Sequence, residues 1–200
     1  GDRVFYTNPL ASTGNNARSP ALNCCSSNII RFIGSVGDYI YARSDQGLWI
    51  NLFVGSSTTL TLNKREVRIR QETNYPWDGK VLVTVEPERR TEFDLHVRIP
   101  GWARNKPVPG DTYHYLDDFA GEVSLTLNGV PLDYTLVDGY AVIHRKWKKG
   151  DVVLLDIPMP VCRITAIEEI EENHNRVALQ RGPLVYCFEH ADNQGRAMNI

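Results

Sequence analysis

The sequence predicts a mainly β protein, an antiparallel β-sandwich preceded by a short segment of loop and helix. Beyond Gly47 apolar and polar residues alternate, which is the period of a half-buried strand. The candidate strands recur about every eight to twelve residues. Turn-forming pairs such as Asn128-Gly129 and Asp138-Gly139 separate them. Apolar residues make up 42% of the 200-residue chain, which is enough to build a core.

The first 26 residues are rich in Gly, Asn, Ser and Ala and are predicted to be mostly loop. One helix is predicted from about Ser27 to about Tyr39, with Ser26 or Ser27 as its N-cap. Its apolar residues recur at helical spacing: Ile29, Phe32, Ile33, Val36 and Ile40. A lone helix of this length is marginal in water, so we expect its apolar face to dock on the sheet or on another part of a longer polypeptide.

The sandwich is predicted over residues 42–160. Its first three strands are expected to pair as a meander: Leu48 to Val54, Thr58 to Leu62 and Glu66 to Glu72. The next two carry alternating apolar residues, Val81, Val83 and Val85 in one, and Phe93, Leu95, Val97 and Ile99 in the other. A polar connection is expected from Pro100 to about Gly121. The remaining strands run from Val123 to Leu127, Tyr140 to Trp147 and Asp151 to Ile157.

Residues 161–200 are predicted to begin a second β unit, because their few strands make a poor core alone. The candidate strands are Cys162 to Ala166, Val177 to Gln180 and Leu184 to Phe188. The chain starts at Gly1 and has no secretory signal, so we expect it to be either a processed or engineered chain or a piece of a longer polypeptide.

Charge and apolar content exclude several classes of partner. The net charge is −2 with acidic and basic residues interspersed, which favours neither nucleic acid nor an anionic membrane surface. No apolar run approaches the roughly 18 residues that span a bilayer. Four cysteines spread over this length are too few for a disulfide framework, so free thiols are expected.

Two of these cysteines, Cys24 and Cys25, are adjacent and lie just before the predicted helix. A tetrahedral zinc site would need two further ligands, and their spacing is not that of a common zinc motif. On spacing alone, the pair is read as two small packed residues, with a metal or catalytic role as the alternative. A disulfide between them is disfavoured because it would close a strained ring.

The other chemistry-bearing residues give weaker signals. The five histidines and the scattered carboxylates are predicted to be surface groups. The loop aromatics are read as core plugs or as a platform on which a sugar ring stacks: Tyr75, Trp77, Trp102, Tyr113, Tyr115 and Tyr140.

Five stretches, in order and at similar spacing, resemble the C-terminal part of the β-L-arabinofuranosidases of glycoside hydrolase family 127. They are Asn23 to Ile29 (NCCSSNI), Gln71 to Gly79 (QETNYPWDG), Arg98 to Trp102 (RIPGW), Trp147 to Asp151 (WKKGD) and Arg176 to Tyr186 (RVALQRGPLVY). The resemblance covers nearly the whole chain. It implies that residues 1–41 are the end of a helical (α/α) barrel catalytic domain and that a β-sandwich follows.

The resemblance also implies a site. Family members use a zinc-bound cysteine nucleophile with retention, so Cys24 is expected to be the nucleophile and, with Cys25, a zinc ligand. Tyr6 is similar to a substrate-contacting tyrosine. The remaining zinc ligands and the glutamate acid/base of the family lie upstream of this chain.

The implied function is that of a fragment of a retaining glycosidase, inactive alone, that releases β-L-arabinofuranosyl or related rare sugar residues. The expected partners are an arabinose-containing oligosaccharide or glycan and the missing N-terminal catalytic barrel, with a homodimer as an option. The alternative function is a non-catalytic carbohydrate-binding or scaffolding β-sandwich with structural cysteines.

Overall fold

The computed structural model of the chain describes residues 5–7, 19–20, 24–117 and 121–188. The chain divides into two compact units. One comprises residues 1–38 and 187–200, and the other comprises residues 39–186. The predicted division at residues 41/42 and 160/161 stays a prediction.

The described residues form two α-helices, two short 3-10 helices and many strands. The helices are α1 Cys24–Ser35, α2 Gly37–Ile40 and the 3-10 turns Gly101–Arg104 and Glu171–Asn173. The strands are β1 Phe5–Thr7, β2 Ser19–Pro20, β3 Tyr41–Arg43, β4 Gly47–Ile50, β5 Ser56–Leu62, β6 Arg65–Thr73, β7 Lys80–Pro87, β8 Thr91–Arg98, β9 Tyr113–Tyr115, β10 Ser124–Leu127, β11 Val130–Pro131, β12 Thr135–Val137, β13 Tyr140–Trp147, β14 Asp151–Asp156, β15 Val161–Ala166, β16 Ala178–Arg181 and β17 Leu184–Tyr186.

The smaller unit contains α1 and the antiparallel pair β1–β2. The predicted helix is present, but it begins three residues earlier than expected and does not run unbroken to Tyr39. Gly34 and Gly37 flank the break, and a glycine inside a helix costs about 1 kcal/mol relative to alanine. None of the described helices is long and apolar enough to cross a membrane.

The larger unit is a sandwich of two sheets. Its six-stranded sheet has the order β11-β10-β14-β7-β6-β5, and its five-stranded sheet has the order β12-β13-β8-β4-β3. Alternate residues of both sheets point into one core, in which Val83, Leu95 and Trp147 are fully buried or nearly so. The predicted fold class, mainly β with antiparallel sheets, is confirmed.

Three hairpins are closed by two-residue turns in which both residues have positive φ, as type I′ turns require. These are Asn63-Lys64, Asn128-Gly129 and Asp138-Gly139. The two turns that contain glycine were expected from the sequence. Asn63-Lys64 adopts the same conformation without glycine, which Asn tolerates better than most residues.

The predicted meander of the first three strands is wrong at its first member. β4 does not pair with β5, but lies between β3 and β8 in the other sheet, and its pairing with β8 is parallel. The chain crosses between the sheets after Ile50. Leu48 and Ile50 are both fully buried. An apolar alternation identifies the buried face of a strand but not its neighbour.

A further strand lies in the segment that was predicted to be only a polar connection. β9 pairs with β15 and completes a four-stranded antiparallel sheet of order β17-β16-β15-β9. The predicted strand pair around Arg181-Gly182-Pro183 is present as β16 and β17. All four strands of this sheet belong to the same compact unit as the sandwich.

Candidate functional site

Cys24 and Cys25 are the first two residues of α1. Tyr6 is the middle residue of β1, which pairs with Ser19–Pro20. The side chains of these three residues lie outside the described part of the structure, so their predicted roles stay predictions. The backbone places both cysteines in the first turn of a helix, where the N–H groups lack intrahelical acceptors and the helix dipole favours an anion.

The chain has two further thiols. Cys162 is buried on β15, and burial, reinforced by the charge of Asp117, raises the pKa of its thiol. Cys187 is exposed. Among the residues whose side chains are described, no three His, Cys, Asp or Glu side chains converge as a metal site. The larger unit therefore supplies no alternative metal centre of its own in the described residues.

Downstream of the cysteines, α1 presents apolar side chains to solvent. Ile30 is 71% exposed and Ile33 is 64% exposed. An isoleucine gains about 1.5–3 kcal/mol when it is fully buried, so a helix face of this kind is typical of a docking surface.

The larger unit has a cleft of about 400 Å³. Three of the motif segments meet there: the loop that follows β6 contributes Tyr75, the corner after β8 contributes Arg98 and Trp102, and the turn between β16 and β17 contributes Pro183. Asn51 to Phe53, which lead out of β4, form another wall.

The loop from Asn74 to Gly79 is fixed by its own side chains. Thr73 Oγ1 accepts a hydrogen bond from the Tyr75 backbone N–H at 3.0 Å and donates to the Lys80 carbonyl at 2.6 Å. Asp78 Oδ1 accepts from the Lys80 N–H at 3.0 Å. The Tyr75-Pro76 peptide bond is cis. This network holds Tyr75 towards the cleft, while Trp77 remains 70% exposed.

Aromatic side chains form the base of the cleft. The Trp102 indole Nε1 donates to the phenolic oxygen of Tyr75 at 3.4 Å, and the ring of Phe53 meets that of Tyr75 edge to face with centroids 5.3 Å apart. Burial raises the pKa of the Tyr75 phenol. The hydrogen bond from Trp102 and the charge of Arg98 act in the opposite direction but do not outweigh burial. Tyr75 is therefore a neutral phenol at neutral pH. Trp102, one of the aromatic residues predicted to pack in the core or to stack on a sugar, packs in the core and is only 7% exposed.

The corner after β8 contains the 3-10 helix Gly101–Arg104 and positions the side chains of Arg104 and Lys106. Asn105 adopts a left-handed conformation with φ 60°, and the Lys106 N–H donates to the Gly101 carbonyl at 2.9 Å. The Arg104 Nε donates to the Ile99 carbonyl at 3.1 Å. These contacts place Arg104 and Lys106 beside the cleft. Sequence patterns did not single out either residue, because only the corner's conformation brings them together.

Buried polar residues of the segments Trp147 to Asp151 and Arg176 to Tyr186 make structural contacts. Asp151, fully buried at the start of β14, accepts hydrogen bonds from Asn128 Nδ2 at 2.9 Å, the Lys148 N–H at 3.0 Å and Arg145 Nε at 3.3 Å. Gln180, on β16, accepts from the Tyr115 hydroxyl at 3.1 Å and donates to the Gly182 carbonyl at 2.7 Å. Burial raises the pKa of Tyr115 to about 12.

Comparison with known proteins accounts for all five motif segments together. The profile described as "Beta-L-arabinofuranosidase, GH127 middle domain" matches residues 47–159, and that of the "Glycoside hydrolase family 127 C-terminal domain" matches residues 161–200. A non-reducing end β-L-arabinofuranosidase of Bifidobacterium longum subsp. longum is 30% identical over the whole chain.

Solved structures agree with these matches. A GH127 β-arabinofuranosidase has a TM-score of 0.87 at 39% identity over 94% of this chain. A GH127 β-L-arabinofuranosidase from Geobacillus stearothermophilus T6 has a TM-score of 0.80 at 40% identity over 98% of this chain. The chain spans about 30% of the length of each of these relatives. The chain therefore belongs to glycoside hydrolase family 127.

Proposed function

We propose that the chain is part of a retaining glycoside hydrolase that releases β-L-arabinofuranosyl or related rare sugar residues from a glycan, with Cys24 as the nucleophile. One observation carries this proposal: two adjacent cysteines open α1 in a chain of this family. The names of its relatives support the sugar class. The acid/base group lies outside these residues, so the chain alone is expected to be inactive.

The donor set at the start of α1 fits a zinc ion. Thiolates are among the ligands that zinc prefers, and Cys24 and Cys25 would supply two of the four positions of a tetrahedral site. The other ligands would come from residues outside the described side chains. When bound, zinc would hold a coordinating cysteine as thiolate at neutral pH.

The chain's own residues favour the same ionisation state. Cys24 belongs to the first turn of α1, and the dipole of a helix favours a negative charge at that end. Cys24 is thereby prepared to attack carbon. Tyr6 on β1 would bind the substrate and orient the sugar.

The proposed reaction proceeds in two successive displacements at the anomeric carbon. Cys24 Sγ attacks the anomeric carbon, and the departing glycosidic oxygen takes a proton from a carboxylic acid outside this chain. The resulting carboxylate then takes a proton from water, whose oxygen attacks the anomeric carbon as the carbon–sulfur bond breaks. Two inversions give net retention, and Cys24 leaves as thiolate.

The test uses the full-length polypeptide. Cys24→Ser is expected to lower kcat by a factor of about 10³ or more, because a neutral hydroxyl is a far weaker nucleophile. Cys25→Ala is expected to lose a bound equivalent of zinc. Cys187→Ser, which removes an exposed cysteine outside the proposed site, is the matched control and should change neither property. A metal-free, inactive protein would favour the non-catalytic sandwich instead, and full activity in Cys24→Ser would show that Cys24 is not the nucleophile.

A further inference from the structure

The cleft in the larger unit has a charge that the composition does not predict. The chain as a whole has 22 lysines and arginines against 24 aspartates and glutamates. The cleft is lined by Arg98, Arg104 and Lys106 and by no acidic residue. Three positive charges therefore converge on one concave surface of a slightly acidic chain.

Two of these three cations, the arginines, are held by hydrogen bonds to backbone carbonyls. Arg98 Nη1 donates to the Asn51 carbonyl at 3.4 Å, and Arg104 Nε donates to the Ile99 carbonyl at 3.1 Å. Within the described part of the chain, none of the ion pairs involves Arg98, Arg104 or Lys106. A guanidinium group has five N–H donors, so each arginine keeps donors for a ligand. Fixed guanidinium groups are suited to a carboxylate.

The base of the cleft suits the uncharged body of a small ligand. Phe53 and Trp102 are buried, and Tyr75 is half-buried with its ring and hydroxyl at the cleft. The Tyr75 oxygen accepts from Trp102, which leaves its own O–H to donate. A volume of about 400 Å³ lies within the range of small-ligand sites, which combine apolar walls with a few polar groups.

The geometry points to a carboxylate-bearing sugar residue, a uronic acid, as the ligand of this cleft. We infer that the sandwich is an accessory glycan-binding surface that recognises an acidic residue of the polysaccharide. The inference rests on the proposed function in that it assumes a glycan substrate. A sugar fits better than an acidic peptide, because turn and loop residues form the rim, whereas peptides commonly add to a strand edge or fill a helix groove.

The experiment measures binding to the full-length Cys24→Ser protein by calorimetry. Trigalacturonic acid is the probe, and the corresponding neutral galactose trisaccharide, a sulfated galactose and a hexaglutamate peptide are the comparisons. We expect the uronate to bind at least about tenfold more tightly than the neutral sugar and to weaken as NaCl rises from 50 to 500 mM.

Lys106→Gln is the diagnostic variant, because its exposed side chain makes no hydrogen bond in the described structure and its removal should not disturb the fold. It should weaken uronate binding about three- to tenfold and leave neutral-sugar binding unchanged. Lys149→Gln, in the turn before β14, is the matched control and should bind like the parent. Lys106→Glu should abolish uronate binding.

Four outcomes would overturn the inference: equal binding of acidic and neutral sugars, tighter binding of the sulfated sugar, competition by hexaglutamate at equal affinity, or no binding. The proposed function is tested separately, by zinc content and hydrolysis in the parent enzyme. A metal-bound, active enzyme with no uronate binding would refute only the accessory site. Uronate binding that depends on Lys106 in a metal-free protein would refute only the zinc-bound nucleophile.

Discussion

The Trp102 indole N–H donates to the Tyr75 hydroxyl, and this bond joins residues of two motif segments that lie on either side of β7 and β8 in the sequence. Tyr75 also packs edge to face on Phe53. These contacts give Tyr75 and Trp102 a structural role. They join the loop after β6 to the corner after β8.

Replacing Tyr75 with phenylalanine tests this bond. Tyr75→Phe keeps the ring on Phe53 and removes the oxygen, so we expect a loss of about 0.5–1 kcal/mol in the free energy of unfolding. Urea denaturation measures it. Tyr186→Phe, at an exposed position, should change stability by less than about 0.5 kcal/mol. Equal stability of Tyr75→Phe and the parent would show that the bond contributes nothing.

Gly79, at the end of the same loop, should tolerate no side chain. A Cβ there would lie 1.8 Å from the Ile157 carbonyl oxygen, and Ile157 N–H donates to the Gly79 carbonyl at 3.1 Å. Gly79→Ala must push two backbone segments apart, and we expect a loss of about 3 kcal/mol or more. Gly55→Ala is the control, since a Cβ there meets nothing within 4 Å. Similar thermal midpoints for the two variants would contradict this packing.

Much of the fold could be predicted from local patterns. The alternation of Val81, Val83 and Val85 identified the buried face of β7, and Asn128-Gly129 identified a hairpin, because both signals are contained in a few neighbouring residues. The parallel partner of β4 could not be predicted in this way, since Leu48 is as well buried beside Leu95 as it would be in a meander. Long-range pairing depends on the whole sheet.

The candidate site also contains residues that the sequence could identify and residues that it could not. Cys24 and Cys25 were identified because adjacency is visible in the sequence and the surrounding segment resembles a family. Arg98 lies in a segment that resembles the family but was not singled out as a site residue, and Arg104 and Lys106 carried no such signal. They share a cleft because Asn105 takes a left-handed conformation, which turns the chain after the 3-10 helix. Surface cations are common, and only the corner distinguishes these three.

Because of Asp151, the free energy of unfolding should decrease as the pH falls into the acid range. Burial by itself would raise the pKa of Asp151, but the hydrogen bonds from Asn128, Lys148 and Arg145 outweigh it and lower the pKa below 3.8. A carboxylate with a lowered folded pKa adds stability above its unfolded pKa, and that stability is lost as pH falls through the folded value. Urea midpoints should therefore drop below about pH 4.

Two variants separate charge from hydrogen bonding at Asp151. Asp151→Ala leaves three donors without this acceptor, and we expect it to cost about 3 kcal/mol at pH 7. Asp151→Asn keeps the shape and one acceptor oxygen, so it should cost less, and its deficit relative to the parent should shrink as pH falls from 5 to 2. A deficit that stays constant over this range would show that the ionised form contributes nothing.

Two histidines on the outer face of the five-stranded sheet, His96 and His144, should have pKa values that are shifted in opposite directions. Hydrogen bonds that His144 donates to Asp94 and then to Glu92 raise its pKa, whereas burial lowers the pKa of His96, which stacks on Trp49 with centroids 4.1 Å apart. NMR titration of the imidazole signals should place His144 above 6.5 and His96 below it. The reverse order would contradict the assigned contacts.

Variants of the two carboxylates check the causes. Asp94→Asn should lower both histidine pKa values, because Asp94 raises each of them, and Glu92→Gln should lower only that of His144. The sign for stability follows from the direction of the shift. Protonated His144 stabilises the fold below the unfolded pKa, and this contribution disappears as pH rises through the higher folded value.

The apolar face of α1 distinguishes the 200-residue chain from the longer protein that we propose. Ile30 and Ile33 are mostly exposed here, so Ile30→Gln or Ile33→Gln should change the stability of the isolated chain by less than about 0.5 kcal/mol. If α1 is the last helix of a helical catalytic domain, the same changes in the full-length protein place a polar amide in a packed interface. The cost should then reach about 2–4 kcal/mol, as for loss of a buried isoleucine. Arg31→Gln, on the same helix, should cost little in either protein. Thermal unfolding of both forms measures the difference, and small effects in both would show that no helical domain covers this face.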